Sequence, residues 1–159
     1  MTDKPADLRE TQPSSFPPGR LIELSEAECQ RMLSTQSVGR VGWQSTSGLV
    51  ILPVTYLYDD GMIIFRTSAY GSLAELITPT RTAFEIDTLD QDQRAGSSVL
   101  VQGMSKAAPT RNWTPRWRMD DIVPWAGGTR HLFIAITVKK LSGRSILPAH
   151  TPSQPRKAE

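Results

Sequence analysis

The chain has 159 residues, with 18 Lys and Arg, 16 Asp and Glu, and a formal net charge of +2. This near-neutral charge does not indicate nucleic acid or an anionic membrane as a partner, and the single cysteine excludes an internal disulfide. No apolar run approaches the roughly 20 residues that span a bilayer, and the first residues lack the apolar segment of a signal peptide. We therefore expect a cytoplasmic protein.

Both ends of the chain are polar and rich in proline, with too few apolar side chains to offset the entropy of ordering. We predict a flexible arm over residues 1–20, one domain over residues 21–147 and a flexible tail over residues 148–159. A domain of this length can bury a hydrophobic core.

A helix is predicted just inside the domain. Ser25 and Glu28 match a capping box, and the helix should run to about Ser34. Cys29 shares the apolar face of this helix with Leu33. Because no nearby His or Lys would lower its pKa, we interpret Cys29 as a small buried hydrophobic residue rather than a nucleophile.

A β-hairpin over residues 51–65 is the clearest pattern of the chain. Its first half is β-branched and aromatic, Asp59-Asp60-Gly61 supplies the turn, and an apolar run follows. Six strands are predicted in all, with a bulge at Gly103: Val38–Trp43, Leu49–Tyr58, Met62–Phe65, Thr82–Asp87, Ser97–Lys106 and His131–Leu141. Short connections make them mostly antiparallel, and a small β-barrel would satisfy their edges, giving a mainly β (α+β) fold.

A polar corner follows the second strand of this hairpin. Arg66, Thr67, Ser68 and Ser72 place one cation and three hydroxyls before a predicted short helix that ends ahead of Pro79. Free N–H groups and the helix dipole at such a position favour a phosphate. Alternatively, Thr67 or Ser68 caps the helix and Arg66 is a solvated charge at the strand end.

The segment 110–129 is irregular and contains Trp113, Trp117 and Trp125. These indoles either pack over the barrel or cover a ligand or a second subunit. Asp87, Asp90 and Asp92 lack the spacing of a calcium loop and are interpreted as a solvated acidic loop. The chain also lacks the His spacing of a metal site, a hydrolase motif and a glycine-rich phosphate loop.

The ordered set of motifs LSEAECQRML, SVGRVGW, ILPVTYLYDDGMIIFRTSAYGSLAEL, AFEID, RAGSSVLVQGMSKA, PWAGGTRHLFIAI and LSGR resembles the pyridoxamine 5′-phosphate oxidase-like superfamily. Within it, the chain is most similar to the small FMN-binding split-barrel proteins of actinobacteria. The resemblance covers residues 21–147 and depends on the order and spacing of several motifs. It implies a six-stranded antiparallel split barrel.

The resemblance also implies a homodimer with FMN in a groove between its two subunits. The residues that it assigns to the cofactor fall into four groups: Arg66, Thr67, Ser68 and Ser72 at the phosphate; Pro53, Val54, Thr55 and Tyr56 beside the isoalloxazine ring; Ser98 near the other end of the ring; and Trp125 and Arg130 from the partner subunit. This chain has Ser72 where many relatives have Lys and Ser97 where many have Trp. The Arg-rich C-terminal signature of the true pyridoxamine phosphate oxidases is missing, which disfavours vitamin B6 oxidation.

The function implied is that of an FMN-dependent oxidoreductase, in which hydride passes through flavin N5 to a small-molecule substrate. Tyr56 is the only side chain that we nominate as a proton donor. Two alternatives stay open: a deazaflavin-dependent reductase of the same fold, and a binding or storage protein that holds a flavin or another ligand without turnover.

Overall fold

The computed structural model describes residues 18–108, 122–123 and 127–149. Its elements are β1 (Arg20–Leu24), α1 (Glu26–Thr35), β2 (Val38–Ser45), β3 (Gly48–Asp59), β4 (Met62–Thr67), a 3₁₀ helix (Ser72–Ile77), β5 (Thr80–Asp90), β6 (Ala95–Ala107) and β7 (Leu132–Leu147). The predicted arm and tail lie almost wholly outside the described residues, although β1 begins at Arg20, within the predicted arm.

Six of the strands form a closed antiparallel ring in the order β7-β4-β3-β2-β5-β6, because β6 also pairs with β7. Closure gives every one of these strands a partner on both edges. The predicted six-stranded barrel is therefore confirmed. β1 is an additional strand that pairs with the C-terminal half of β7, from Arg20 opposite Leu147 to Leu24 opposite Gly143. β1 is not among the strands predicted from the sequence.

The hairpin of β3 and β4 is confirmed, with Tyr56 opposite Phe65 and Asp59 opposite Met62. Asp60 and Gly61 both have positive φ, 43° and 73°. Two successive positive φ angles are typical of a type I′ turn, whose twist matches that of the flanking strands.

The predicted bulge at Gly103 is also confirmed. Gln102 lies opposite Lys140, whereas Gly103 lies opposite Val138, so Lys139 has no partner in β6. A Cβ atom on residue 103 would lie 2.3 Å from the Thr137 carbonyl oxygen. Only glycine allows this close approach of the two strands.

Helix α1 begins with the predicted capping box. The Ser25 hydroxyl accepts a hydrogen bond from the Glu28 N–H (3.3 Å), and the Glu28 carboxylate accepts one from the Ser25 N–H (2.7 Å). Cys29 and Leu33 are buried against the barrel, as predicted for Cys29. Burial raises the pKa of the Cys29 thiol, which keeps it protonated and unreactive.

A second apolar cluster lies outside the ring, on β4 and β7. Ile64 and Ala135 pack there with Ala108 and Ile122, all of them buried. At Ile122, therefore, the segment between β6 and β7 packs over the barrel of its own chain. Trp113, Trp117 and Trp125 lie outside the described residues. No helix in the described part of the chain is long and apolar enough to cross a membrane.

Candidate cofactor site

Arg66, at the end of β4, is half-buried and binds main-chain carbonyls. Its Nε and Nη2 donate to the Arg130 carbonyl (3.2 and 3.0 Å), and its Nη1 donates to the Ile122 carbonyl (3.5 Å). The guanidinium carbon also lies 5.1 Å from the centroid of the Phe133 ring, within the range of a cation–π contact. The interpretation of Arg66 as a solvated charge is wrong, because it holds the segment before β7 against β4.

Thr67 follows Arg66 and is 2% exposed. Within residues 18–108, 122–123 and 127–149, its hydroxyl has no hydrogen-bond partner. Buried hydroxyls normally have one, because burial without a partner costs about 1–3 kcal/mol. Within the described part of the chain, the hydrogen-bonding capacity of the Thr67 hydroxyl at the end of β4 is therefore unused.

The turn from β4 into the 3₁₀ helix is open to solvent. Ser68 is half-buried, Ser72 is exposed, and the N-cap is Gly71, with no side-chain capping bond. Neither Thr67 nor Ser68 caps this helix, so the capping alternative is wrong. Because the helix is a 3₁₀ turn of 6 residues, its dipole contributes little, and an anion here would depend on the side chains and the free N–H groups of the turn.

The 3₁₀ helix is held to the barrel end by Glu75. Its carboxylate accepts hydrogen bonds from the Trp43 indole N–H (3.2 Å) and the Ser45 hydroxyl (2.9 Å). Trp43 and Ser45 are both buried. Glu75 is not among the residues predicted from the sequence. The indole N–H of a buried Trp usually has a hydrogen-bond acceptor. The sequence around Trp43 does not show which carboxylate accepts this bond.

The four β3 residues assigned to the isoalloxazine ring lie on opposite sides of the sheet. Pro53 and Thr55 face outward, whereas Val54 and Tyr56 face the core. The Tyr56 hydroxyl donates to the Leu33 carbonyl at 2.7 Å, and burial raises its pKa. Its ring packs edge-on against Phe84, with centroids 4.8 Å apart. Tyr56 therefore connects α1 to the barrel, and its hydroxyl does not face solvent.

Ser98 lies on β6, opposite Asp87 of β5 and Arg144 of β7. It faces outward, like Thr55, and lies three strands away from β3, roughly 14 Å at the usual strand spacing. Between them, Arg40 bridges Glu85 (3.0 Å) and Asp87 (2.9 Å). Asp87 is thus a paired strand residue, and its assignment to a solvated loop is wrong.

Trp125 and Arg130 are the two residues predicted to come from a partner subunit. Trp125 lies outside the described residues. Arg130 is half-buried, and its carbonyl binds Arg66. In the described ranges, no group of three His, Cys, Asp or Glu could hold a metal ion.

A family model described as pyridoxamine 5′-phosphate oxidase matches residues 25–145. The chain belongs to this family. The resemblance drawn from the sequence motifs is therefore confirmed.

Among the relatives of this family member is the uncharacterized protein Rv0080 from Mycobacterium tuberculosis, which is 27% identical over 138 residues and is matched over 83% of this chain and 90% of its own length. A solved protein of unknown function from Corynebacterium diphtheriae is 26% identical, with a TM-score of 0.60 and coverage of 80% of this chain and 98% of its own. A solved FAD-binding protein from Mesorhizobium loti is 20% identical, with a TM-score of 0.65 and coverage of 80% and 97%. These similarities confirm the split-barrel fold.

The residues at the end of β4 fit a flavin phosphate in their chemistry. Thr67 offers a buried hydroxyl without a partner in the described ranges, Ser68 and Ser72 offer hydroxyls on an open turn, and Arg66 adds a positive charge. The outward face of Pro53 and Thr55 lies on the neighbouring strand.

Proposed function

We propose that the protein binds a flavin beside the β3–β4 hairpin and acts with it as an oxidoreductase on a small molecule. Membership of the pyridoxamine 5′-phosphate oxidase family supports this proposal, as does the shared fold of the FAD-binding protein from Mesorhizobium loti. The observation that carries it is the buried Thr67 hydroxyl, which lacks a partner in the described part of the chain, beside an open turn of further hydroxyls.

In this proposal FMN is the flavin, because its single terminal phosphate suits a corner whose residues 66–72 contain one cation, Arg66. The hydroxyls of Thr67, Ser68 and Ser72 would donate to the phosphate, and the positive charge of Arg66 would strengthen its binding. Pro53 and Thr55 would support the ring, and Ser98 would lie near its far end. When bound, the flavin would supply hydride transfer through N5.

The first test is the visible absorption spectrum of the purified protein, followed by titration with FMN, FAD and deazaflavin. We expect FMN to bind and Thr67→Val, which keeps the side-chain shape but removes the hydroxyl, to weaken binding about tenfold. Thr88→Val is the matched control, because Thr88 is an exposed strand residue of β5 away from the corner. A wild-type protein that takes up none of the three compounds would refute the proposal.

We also propose that the site is shared by two copies of the chain, with the Trp125 and Arg130 region of one copy covering the flavin of the other. Sedimentation at micromolar concentration should then give a dimer, and Trp125→Ala should weaken flavin binding and dimerisation together. A protein that binds flavin and sediments as a monomer would refute the shared site.

A second candidate is a protein that binds flavin without turnover. The burial of Tyr56, 5% exposed and bonded to the Leu33 carbonyl, favours it, because the one nominated proton donor does not face solvent. This candidate predicts that NADH or NADPH reduces the bound flavin no faster than the free flavin. A protein that takes up only deazaflavin would instead indicate a deazaflavin-dependent reductase of the same fold.

A further inference from the structure

A groove of about 770 Å³ crosses the outer face of the barrel from β3 to β7. Its floor is made by Gly42 and Ala83, which lie opposite each other on β2 and β5. Ile51 is the next residue in this cross-strand row on one side, and Gln102 is the next on the other. Because the two middle positions have the smallest side chains, the surface is lower between Ile51 and Gln102.

The β3 end of the groove is apolar. Leu49 and Ile51 are 84% and 70% exposed and are separated by one residue, so their side chains lie side by side on the same face of the strand. Single exposed apolar residues are ordinary. Here two of them are continuous with a groove, and together they form one apolar surface.

The β7 end of the groove is cationic, and the bulge at Gly103 is the reason. In a regular strand, Lys139 and Lys140 would point to opposite faces. Because Lys139 is the extra residue of the bulge, both lysines are exposed. Arg81, on β5 near the middle of the groove, adds a third cation. No Asp or Glu is found among the described residues that line the groove.

We propose that this groove binds a long-chain carboxylate. The chain would lie across Gly42 and Ala83 onto Leu49 and Ile51, and the carboxylate would lie at the lysines. The distance from β3 to β7 is four strand spacings, roughly 19 Å, so the site suits an elongated molecule that is apolar at one end and anionic at the other. The groove volume is within the usual range of small-molecule sites. None of these residues is assigned to the flavin, so the proposal stands without the proposed function.

The choice of ligand follows from the two ends taken together. A neutral amphiphile would gain nothing from three cations that have no carboxylate near them in the groove. A compact polyanion such as a nucleotide would leave the apolar surface of Leu49 and Ile51 in water. Only a ligand that extends from one end to the other uses both, and its affinity should fall as salt screens the exposed lysines.

The test is isothermal titration calorimetry of the full chain with dodecanoate, kept below its micellar concentration. Dodecyltrimethylammonium and dodecyl maltoside, which have the same chain with a cationic or a neutral head, are the comparison ligands. We expect one dodecanoate per chain, bound at least tenfold more tightly than either comparison ligand, and weaker binding as the NaCl concentration rises.

Two variants separate the roles of charge and shape. K139Q together with K140Q removes two exposed charges and should weaken dodecanoate binding about tenfold. Ala83→Leu fills the floor without changing charge and should weaken it at least as much. Lys106→Gln and Leu89→Gln are the matched controls, because both residues are exposed and lie outside the groove, and their affinities should not change.

Equal binding of the three amphiphiles would overturn the proposal, since the cations would then not be recognised. Unchanged affinity in Ala83→Leu would place the ligand elsewhere and also overturn it. The third contrary outcome concerns a second copy of the chain. If the wild type is a dimer that binds no dodecanoate, and Ile51→Glu converts it to a monomer, the groove is a subunit contact rather than a ligand site.

Discussion

The sulfur of Cys29 lies so close to Gly143 that a methyl group added to the glycine would be 2.6 Å from it. The same methyl group would be 3.1 Å from the Leu24 Cδ1 atom and 3.2 Å from the Ser98 carbonyl oxygen. Helix α1 therefore packs against β7 at a position where a side chain cannot be accommodated. This contact connects the N-terminal helix to the strand that closes the barrel.

Gly143→Ala should lower the free energy of unfolding by about 1–3 kcal/mol, because the new methyl group must displace α1 or β7. Adding Cys29→Ala removes the sulfur atom nearest to the new methyl group. The double variant should therefore recover part of the lost free energy of unfolding, although alanine fills less of the core than cysteine. Urea denaturation measures both. Gly127→Ala is the control, since a Cβ atom there would meet nothing within 4 Å. Equal losses in the single and double variants would contradict the contact.

Tyr56→Phe should cost about 1–2 kcal/mol of stability, because it leaves the Leu33 carbonyl without its buried donor. Tyr70→Phe, at a residue that is 99% exposed, should leave stability unchanged in the same denaturation experiment. Tyr56→Phe also tests whether Tyr56 is a proton donor. Loss of turnover without loss of stability would support a catalytic role and contradict the structural one.

Short-range patterns predicted the local structure well. The Ser25–Glu28 capping box and the turn at Asp60 and Gly61 each depend on residues within one turn of chain, so the sequence alone indicates them. The bulge at Gly103 was indicated by a glycine inside a strand pattern. The short connections between six predicted strands indicated a small barrel, and the order of the motifs led to the correct family.

Long-range partners could not be predicted in the same way. β1 was missed because its partner strand, β7, is at the other end of the domain. The pairing of Glu75 with Trp43 depends on how the barrel end folds. In the candidate site, strand alternation could have shown that Val54 and Tyr56 face away from Pro53 and Thr55, but the burial of Thr67 required the structure.

Glu75→Ala should destabilise the protein by about 1–2 kcal/mol, because the buried Trp43 indole and Ser45 hydroxyl lose their acceptor. Glu75→Gln keeps one acceptor oxygen and should lose less. The indole N–H resonance of Trp43, assigned with Trp43→Phe, should shift in both variants. Glu23→Ala, at another exposed glutamate, is the control, and an unmoved resonance would argue against the hydrogen bond.

The capping box should make stability depend on pH. The hydrogen bond from the Ser25 side chain is the largest cause that lowers the pKa of Glu28 in the folded protein. The unfolded chain therefore binds this proton more readily, and the stabilisation is present above the usual pKa of 4.5 and lost as the pH falls through the folded value.

Glu28→Gln should accordingly be less stable than the wild type at pH 7, and the difference should shrink at pH 3. Urea denaturation at the two pH values measures this. Glu23→Gln, outside the capping box, should show no comparable change in the difference. A Glu28→Gln deficit that is the same at both pH values would mean that the carboxylate charge is not what stabilises the helix start.

β7 pairs with β1, β4 and β6, yet it is the last of these strands to leave the ribosome. Until it does, β4 and β6 each have an edge without a partner, and the nascent chain can form the β3–β4 hairpin but no closed ring. The ring can therefore close only after β7 has emerged, and closure should be slow for a barrel of this size, since its closing contacts join distant parts of the chain. During that interval the open edges are the places where a chaperone, or a neighbouring nascent chain, would bind first.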